Sequence, residues 1–209
     1  MKQPTRQAYR HGDLRRALLE AGIELARVGG PEAVVLREVT RRAGVVPNAA
    51  YRHFANREDL LRAVRAAALS AVAKAMEAEL AKVRASRAAA TTARARVRAV
   101  GTGYLNFARE EPGLFRTAFA VVEESSGSAD AAKAGDSGMN PFQLLGNALD
   151  GLVEAGVLPG ARRKNAEYLA WSAVHGLASL INDGPLRWLS LAQTKEIGTR
   201  LLDMVERGV

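Results

Sequence analysis

The stretch that most constrains this chain is Leu36-Arg37-Glu38-Val39-Thr40-Arg41-Arg42-Ala43-Gly44-Val45-Val46-Pro47-Asn48-Ala49-Ala50-Tyr51-Arg52-His53-Phe54. Leu36, Val39 and Ala43 recur at intervals of three and four, the spacing of a single helical stripe. Gly44 follows, a residue that tolerates the positive φ on which helices end. Pro47 suits the first position of a second helix, where its missing N–H is no loss. Ala50 and Phe54, one turn apart, anchor that helix inward. Asn48, Ala49 and Arg52 are left on its outer face, with Tyr51 and His53 on the flanks. Donors, an aromatic and a cation on the outside of a short helix suit a reader of base edges and phosphates. Plain αα-hairpins with a solvated face share the same outline, so the pair by itself leaves both readings open.

The surroundings of this stretch are basic. The 209-residue chain has a net charge of +8; its first 65 residues hold 13 Lys/Arg against 7 Asp/Glu, and the remainder 17 against 15. A locally basic segment suits a polyanion, because each neutralised phosphate releases condensed counterions. A solvated surface in an arginine-rich sequence is the bland alternative. The chain has no cysteine, which excludes a disulfide framework, a thiol nucleophile and a cysteine zinc site. Residues 1–10 are polar and basic, unlike a secretion signal. No run nears the roughly 18 apolar residues of a membrane span. A soluble, cytoplasmic protein without a membrane partner is expected. Residues 1–9, with Lys2 and Arg6, read as a disordered basic arm.

An apolar stripe through Leu14, Leu18, Ala21, Leu25 and Val28 predicts a first helix over 10–28, ended by Gly29-Gly30-Pro31. Beyond the helix pair, Asn56 is placed to cap a long helix over 57–83, with Glu58 and Asp59 in its first turn. At about 1.5 Å per residue that helix spans roughly 40 Å, too long to belong to a small head alone. Further helices are predicted over 91–111, capped by Thr91 or Thr92, and over 114–122, 141–155, 162–183 and 186–207. Residues 123–140, rich in Ser, Gly, Ala and Asp, read as a mobile loop. No alternating β-branched run predicts a strand. The expected fold class is all-α with about nine helices: a three-helix head over 1–56 and a helical body over 57–209.

The ordered pattern Leu36-Arg37-Glu38-Val39-x-x-Arg42-Ala43-Gly44-Val45-x-Pro47-x-Ala49-x-Tyr51-Arg52-His53-Phe54-x-Asn56-Arg57-Glu58-Asp59-Leu60-Leu61 resembles the DNA-binding head of the tetracycline-repressor (TetR) family, over residues 10–65. The resemblance implies a ligand-responsive transcriptional regulator, usually a repressor released from its operator by a small molecule, and not an enzyme. It implies that Asn48, Ala49 and Arg52 face the groove and that Thr40, Tyr51, His53 and Arg57 contact the DNA backbone. Arg41 and Pro47 complete the candidate DNA-binding set. Two positions depart from the family pattern. Val46 stands where a Ser or Thr often caps the recognition helix, a cap of about 1 kcal/mol. Ala50 stands where a larger aliphatic residue is common, which thins the head's core.

In the remainder, Tyr104, Phe107, Phe115, Phe119, Phe142 and Trp171 cluster in segments that flank the expected loop. They form either an ordinary aromatic core or, with family resemblance behind it, the wall of a ligand cavity. Trp171, His175 and Gly176 resemble the Trp-His-Gly type of TetR C-terminal domain, over residues 100–185. His175 is thereby a candidate effector contact, or a structural core residue. A helical enzyme using His175 as acid or base lacks a partner carboxylate in the sequence, and a helical protein-binding adaptor would leave the basic head incidental. No metal-ligand spacing and no cofactor motif is present. The expected partners are a palindromic double-stranded DNA operator, a small-molecule effector and a second copy of the chain. The homodimer is expected to form through helices 162–183 and 186–207, with Trp188, Leu189, Ile197 and Leu201 as candidate contacts.

Overall fold

The computed structural model describes residues 11–120 and 131–208. The basic arm expected over 1–9 and residues 123–130 of the expected loop lie outside them. Among the described residues the fold is all-α, with ten α-helices and no strand. α1 (His11–Gly29) leads through a 3-10 turn at Pro31–Ala33 into α2 (Leu36–Ala43) and α3 (Pro47–Ala50). α4 (Arg57–Leu80) then runs out of this head into the body. The body continues with α5 (Ala89–Glu110), α6 (Pro112–Ala118), a 3-10 turn at Ala131–Lys133, α7 (Pro141–Glu154), α8 (Gly160–Arg163), α9 (Ala166–Asn182) and α10 (Leu191–Gly208). α5 packs along α4, α6 wedges between α4 and α1, and α7, α9 and α10 pack against α5.

The head forms as its stripes predict, except that Val28, expected on the packed face of α1, is 81% exposed. Val39, Ala50 and Phe54 are buried with Leu18, Val34 and Leu60 in one core. Gly44 adopts φ 69°, the left-handed cap, and its N–H with that of Val45 satisfies the last carbonyls of α2. Asn56 caps α4, its side chain accepting from the Asp59 N–H at 2.8 Å. α3 is shorter than expected: regular helix ends at Ala50, and residues 51–53 form a turn whose Phe54 N–H still bonds to the Ala50 carbonyl at 2.9 Å. Val46 supplies no side-chain cap.

Elsewhere several boundaries differ. α4 ends at Leu80 rather than at 83, and α6 starts at Pro112 rather than at 114 and ends at Ala118. α5 begins at Ala89 without a side-chain cap, because the Thr92 hydroxyl accepts the Ser86 N–H at 2.8 Å instead. The helix expected over 162–183 is two, α8 and α9, since Asn165 takes a left-handed φ of 65°. The last helix starts at Leu191 rather than at 186. Ser190 and Gln193 bond reciprocally there, Ser190 N–H to Gln193 Oε1 at 2.9 Å and Gln193 N–H to Ser190 Oγ at 3.3 Å.

Residues 131–140 are a fixed segment rather than part of a mobile loop. The Glu77 carboxylate of α4 accepts from the Asp136 N–H at 2.8 Å, the Ser137 N–H at 2.9 Å and the Ser137 hydroxyl at 2.5 Å. Burial opposes the charge on Glu77, but these bonds outweigh it and hold its carboxyl below the usual range. Lys74 pairs with Asp136 at 2.9 Å, and the Ser70 hydroxyl donates to the Ala134 carbonyl at 2.6 Å. Asn140 and Gln143 then form a capping box that starts α7 behind Pro141.

Candidate nucleic-acid interface and internal cavity

Two features carry chemistry, one at each end of α4. The first is the outer face of the head. Pro47, Asn48, Tyr51 and Arg52 are exposed, while Ala49 and His53 are half-buried. Anchoring through Ala50 and Phe54 turns this face outward, so its amide, phenol and guanidinium reach solvent together. Arg41 is exposed beside it and bonds Glu38 at 2.8 Å. Arg37 and Arg42, which the sequence reading passed over, are exposed on the same helix; their spacing of five on α2, bracketing Arg41, was the available signal.

Two candidates do not stand at this face. Thr40 is only 2% exposed, and its hydroxyl donates to the Arg37 carbonyl at 2.9 Å. The guanidinium of Arg57 donates to the carbonyls of Val34 at 2.9 Å and Pro31 at 2.8 Å. It thereby closes the 3-10 turn onto the start of α4, with its side chain half-buried against the head.

The second feature is a cavity of about 480 Å³ within the body. Tyr104, Phe119, Phe142 and Trp171 line it, as the aromatic clustering suggested. Phe115 is buried at its back, edge-on to Tyr104 with ring centroids 5.5 Å apart. Phe107 faces a separate hollow between α4, α5, α9 and α10. His175 stands behind Tyr104 and does not line the wall. The Trp171 indole N–H donates to the Tyr104 hydroxyl at 3.2 Å, and Tyr104 meets His175 Nδ1 at 2.7 Å. Burial pushes the phenol up and the imidazole down, so both stay neutral. Tyr104 and His175 share this bond, and with the Trp171 contact it positions the Tyr104 ring. Cations on the wall, Arg65, Arg98 and Lys133, escaped a sequence reading directed at aromatics.

The cavity touches the head through two helices. Arg65, Leu69 and Met76 of α4 lie on its wall, as does Phe119 at the end of α6. At the other end of α6, Gly113 packs so closely on the Ala26 and Arg27 carbonyls of α1 that a Cβ would overlap them. Arg27 reinforces the contact through Glu111 at 2.9 Å. No three His, Cys, Asp or Glu among the described residues gather as a metal site, and none of the described helices is long and apolar enough to cross a membrane.

No curated protein matches the chain. Among solved structures, a protein of unknown function from Rhodococcus sp. RHA1 is 24% identical, with a TM-score of 0.73 over 100% of this chain and 99% of that one. The transcriptional regulator FadR from Bacillus subtilis, in complex with stearoyl-CoA, is 13% identical with a TM-score of 0.66, over 93% of this chain and 98% of its own. RolR in complex with the ligand resorcinol is 17% identical with a TM-score of 0.55, over 97% and 91%. At these identities the likenesses speak for the fold. The family models speak for more. Residues 18–64 match bacterial regulatory proteins of the tetR family, and residues 97–205, over half of the chain, match the tetracyclin repressor-like C-terminal domain. The chain belongs to the TetR family of DNA-binding transcriptional regulators, which are not enzymes.

Proposed function

We propose that this regulator is a cytoplasmic repressor that binds a palindromic operator as a homodimer and leaves it when a small molecule fills the body cavity. Residues 1–56 are the DNA-binding unit and 57–209 the effector-binding and dimerisation unit. The observation that carries the reading is the shared wall: α4 and Phe119, which follows α6, line the cavity, and α4 and α6 also hold the head, α6 through Gly113 on the α1 carbonyls. A molecule that fits only when α6 or α4 shifts favours one head spacing over another, and that differential affinity sets the response. The ligand-bound FadR and RolR structures support an effector in this fold.

Asn48 and Arg52 are the candidates for base edges, Ala49 for a thymine methyl, and Tyr51 and His53 for the DNA backbone. Arg52→Ala is expected to weaken binding to a DNA site selected from genomic fragments by about tenfold to hundredfold, the worth of a good base contact. Random-sequence DNA should lose much less. Fluorescence anisotropy on both DNAs measures this, and an Arg52→Ala protein that holds the selected site like wild type would refute the assignment.

One short recognition helix reads few bases, so two copies spaced about one DNA turn apart are needed. The dimer face is assigned to α9 and α10. Leu169 and Leu180 on α9, and Ile197 and Met204 on α10, are exposed on outward helix positions. Between the two leucines, Ser172 and Gly176 offer a small surface, and no atom of the chain lies within 4 Å of a Cβ built on Gly176. A mid-helix glycine costs about 1 kcal/mol against alanine, and close approach of a second α9 accounts for it. Trp188 and Leu189 lie before α10 rather than in it; Trp188 is 80% exposed, with the Arg187 guanidinium 4.6 Å from its ring centre. Leu201 packs on the subunit's own core. Leu169→Asp with Leu180→Asp is expected to give a folded monomer in sedimentation velocity; an unchanged dimer would place the interface elsewhere.

A further inference from the structure

Helices α4, α5, α9 and α10, which wall the cavity, also wall the second hollow, of about 750 Å³. On three of them the lining passes from one space to the other within about a turn: from Met76 to Glu79 on α4, from Gly101 to Thr102 on α5 and from Val174 to Leu177 on α9. On α10 one residue serves both. Among the described residues only Leu202 borders the two spaces. The cavity and the hollow therefore adjoin, with the Leu202 side chain between them.

Leu202 reaches this place because α5 presents no side chain opposite it. A Cβ on Gly101 would overlap the Leu202 Cδ2, and the Cγ and Cδ1 lie within 4 Å of the same position. Gly101 is buried, and Leu202 is 7% exposed. The barrier is thus a leucine tip against a glycine backbone, made of van der Waals contact without charge or hydrogen bond. Beyond it the lining includes Leu105, Leu177 and Ala178, so an apolar chain that passed Leu202 would still bury its methylenes.

On the reading of this cavity as the effector site, we propose that Leu202 is the residue that sets effector size: its side chain, seated on Gly101, is the stop that limits the longest apolar molecule the cavity takes. The test uses the intact protein carrying Trp188→Phe. Trp171 lines the cavity and is then the only tryptophan of the two in the chain. Its fluorescence is titrated with the straight-chain alcohols from hexanol to tetradecanol, in which length is the only variable.

Affinity in this parent protein should rise about fourfold per added carbon, the worth of a buried methylene, and level off at the length that meets Leu202. Leu202→Ala should carry the rise about two to three carbons further, the size of the group removed. Leu202→Val should move the limit less, and it decides by the same criterion where Leu202→Ala does not fold, as thermal melts will show. Leu145→Ala trims a leucine that lines the cavity and does not border the hollow, and it should leave the limit in place. A limit unmoved by truncating Leu202, or moved as far by Leu145→Ala, overturns the assignment while leaving the cavity reading intact. Affinity that never levels off in the parent protein overturns the closed end. No response to any alcohol overturns the cavity reading and the proposal with it.

Discussion

Phe54→Ala is expected to destabilise the head by about 3–5 kcal/mol, the usual cost of emptying a buried phenylalanine site. Phe54 is 1% exposed and shares one core with Leu18, Val34, Val39, Ala50 and Leu60, all of them fully buried. The Arg15 guanidinium lies 5.1 Å from its ring centre, so α1 covers the ring with a cation as well as with apolar surface. Ala50 is small and gives Phe54 little help, which concentrates the anchoring of the recognition segment in this one ring. A domain is stable by about 5–15 kcal/mol in all, so the loss is a large part of what holds the head. Urea unfolding should show it as an earlier transition, with DNA binding lost alongside. Tyr51→Ala is the comparison: at 56% exposure it should change stability by no more than about 0.5 kcal/mol while still weakening DNA binding. A Phe54→Ala protein as stable as wild type would mean that the head's core is organised around other residues.

The head was legible because its signals are local. Gly44 needs a left-handed cap, Pro47 opens a helix, and Asn56 caps α4, each a preference of one residue for one backbone position. Ala50 and Phe54 follow from spacing alone. What the sequence hid was the partner of each polar side chain. Thr40 and Arg57 carry groups that suit phosphate, yet the fold turns one hydroxyl back on its own helix and the guanidinium onto the carbonyls of Pro31 and Val34. The Pro31 carbonyl already accepts the Val34 N–H at 3.2 Å, and nothing in the order of residues says that Arg57 arrives there as well.

The body was less legible for the same reason at longer range. Residues 131–140 have a loop-like composition, but Glu77, some sixty positions away in the chain, satisfies their backbone. The start of α10 was within reach, since Ser190-x-x-Gln193 is a capping-box signature. The break at Asn165 was not: Arg163 binds Asp150 and Glu167, each at 2.6 Å, and fixes a turn inside what periodicity reads as one helix. Aromatic clustering located the cavity, yet sorting wall from backing required the packing of α5 on α6 and α9. Phe115 and His175 fell behind Tyr104, and Phe107 on another side.

Gly103→Ala should be among the most damaging single-methyl changes in the body. A Cβ at this position would lie 2.6 Å from both the Ala75 carbonyl oxygen and the Met76 Cα. These are backbone atoms of α4, so neither can rotate aside, and the two helices must part along their crossing. Overpacking of this kind costs about 1–3 kcal/mol where side chains can adjust; against backbone the upper end or beyond is expected. Alanine's better helix propensity returns only about 1 kcal/mol of it. Because α4 carries the head and Met76 lines the cavity, the displacement should also weaken both DNA and effector binding. Gly151→Ala isolates the cause. Gly151 lies in α7 with no atom within 4 Å of its Cβ position, so the same methyl should stabilise the protein by about 0.5–1 kcal/mol. Differential scanning calorimetry of the two variants should move Tm in opposite directions. If both rise, α4 and α5 do not cross as closely as Gly103 implies; if both fall, the loss at Gly103 does not come from the α4 backbone.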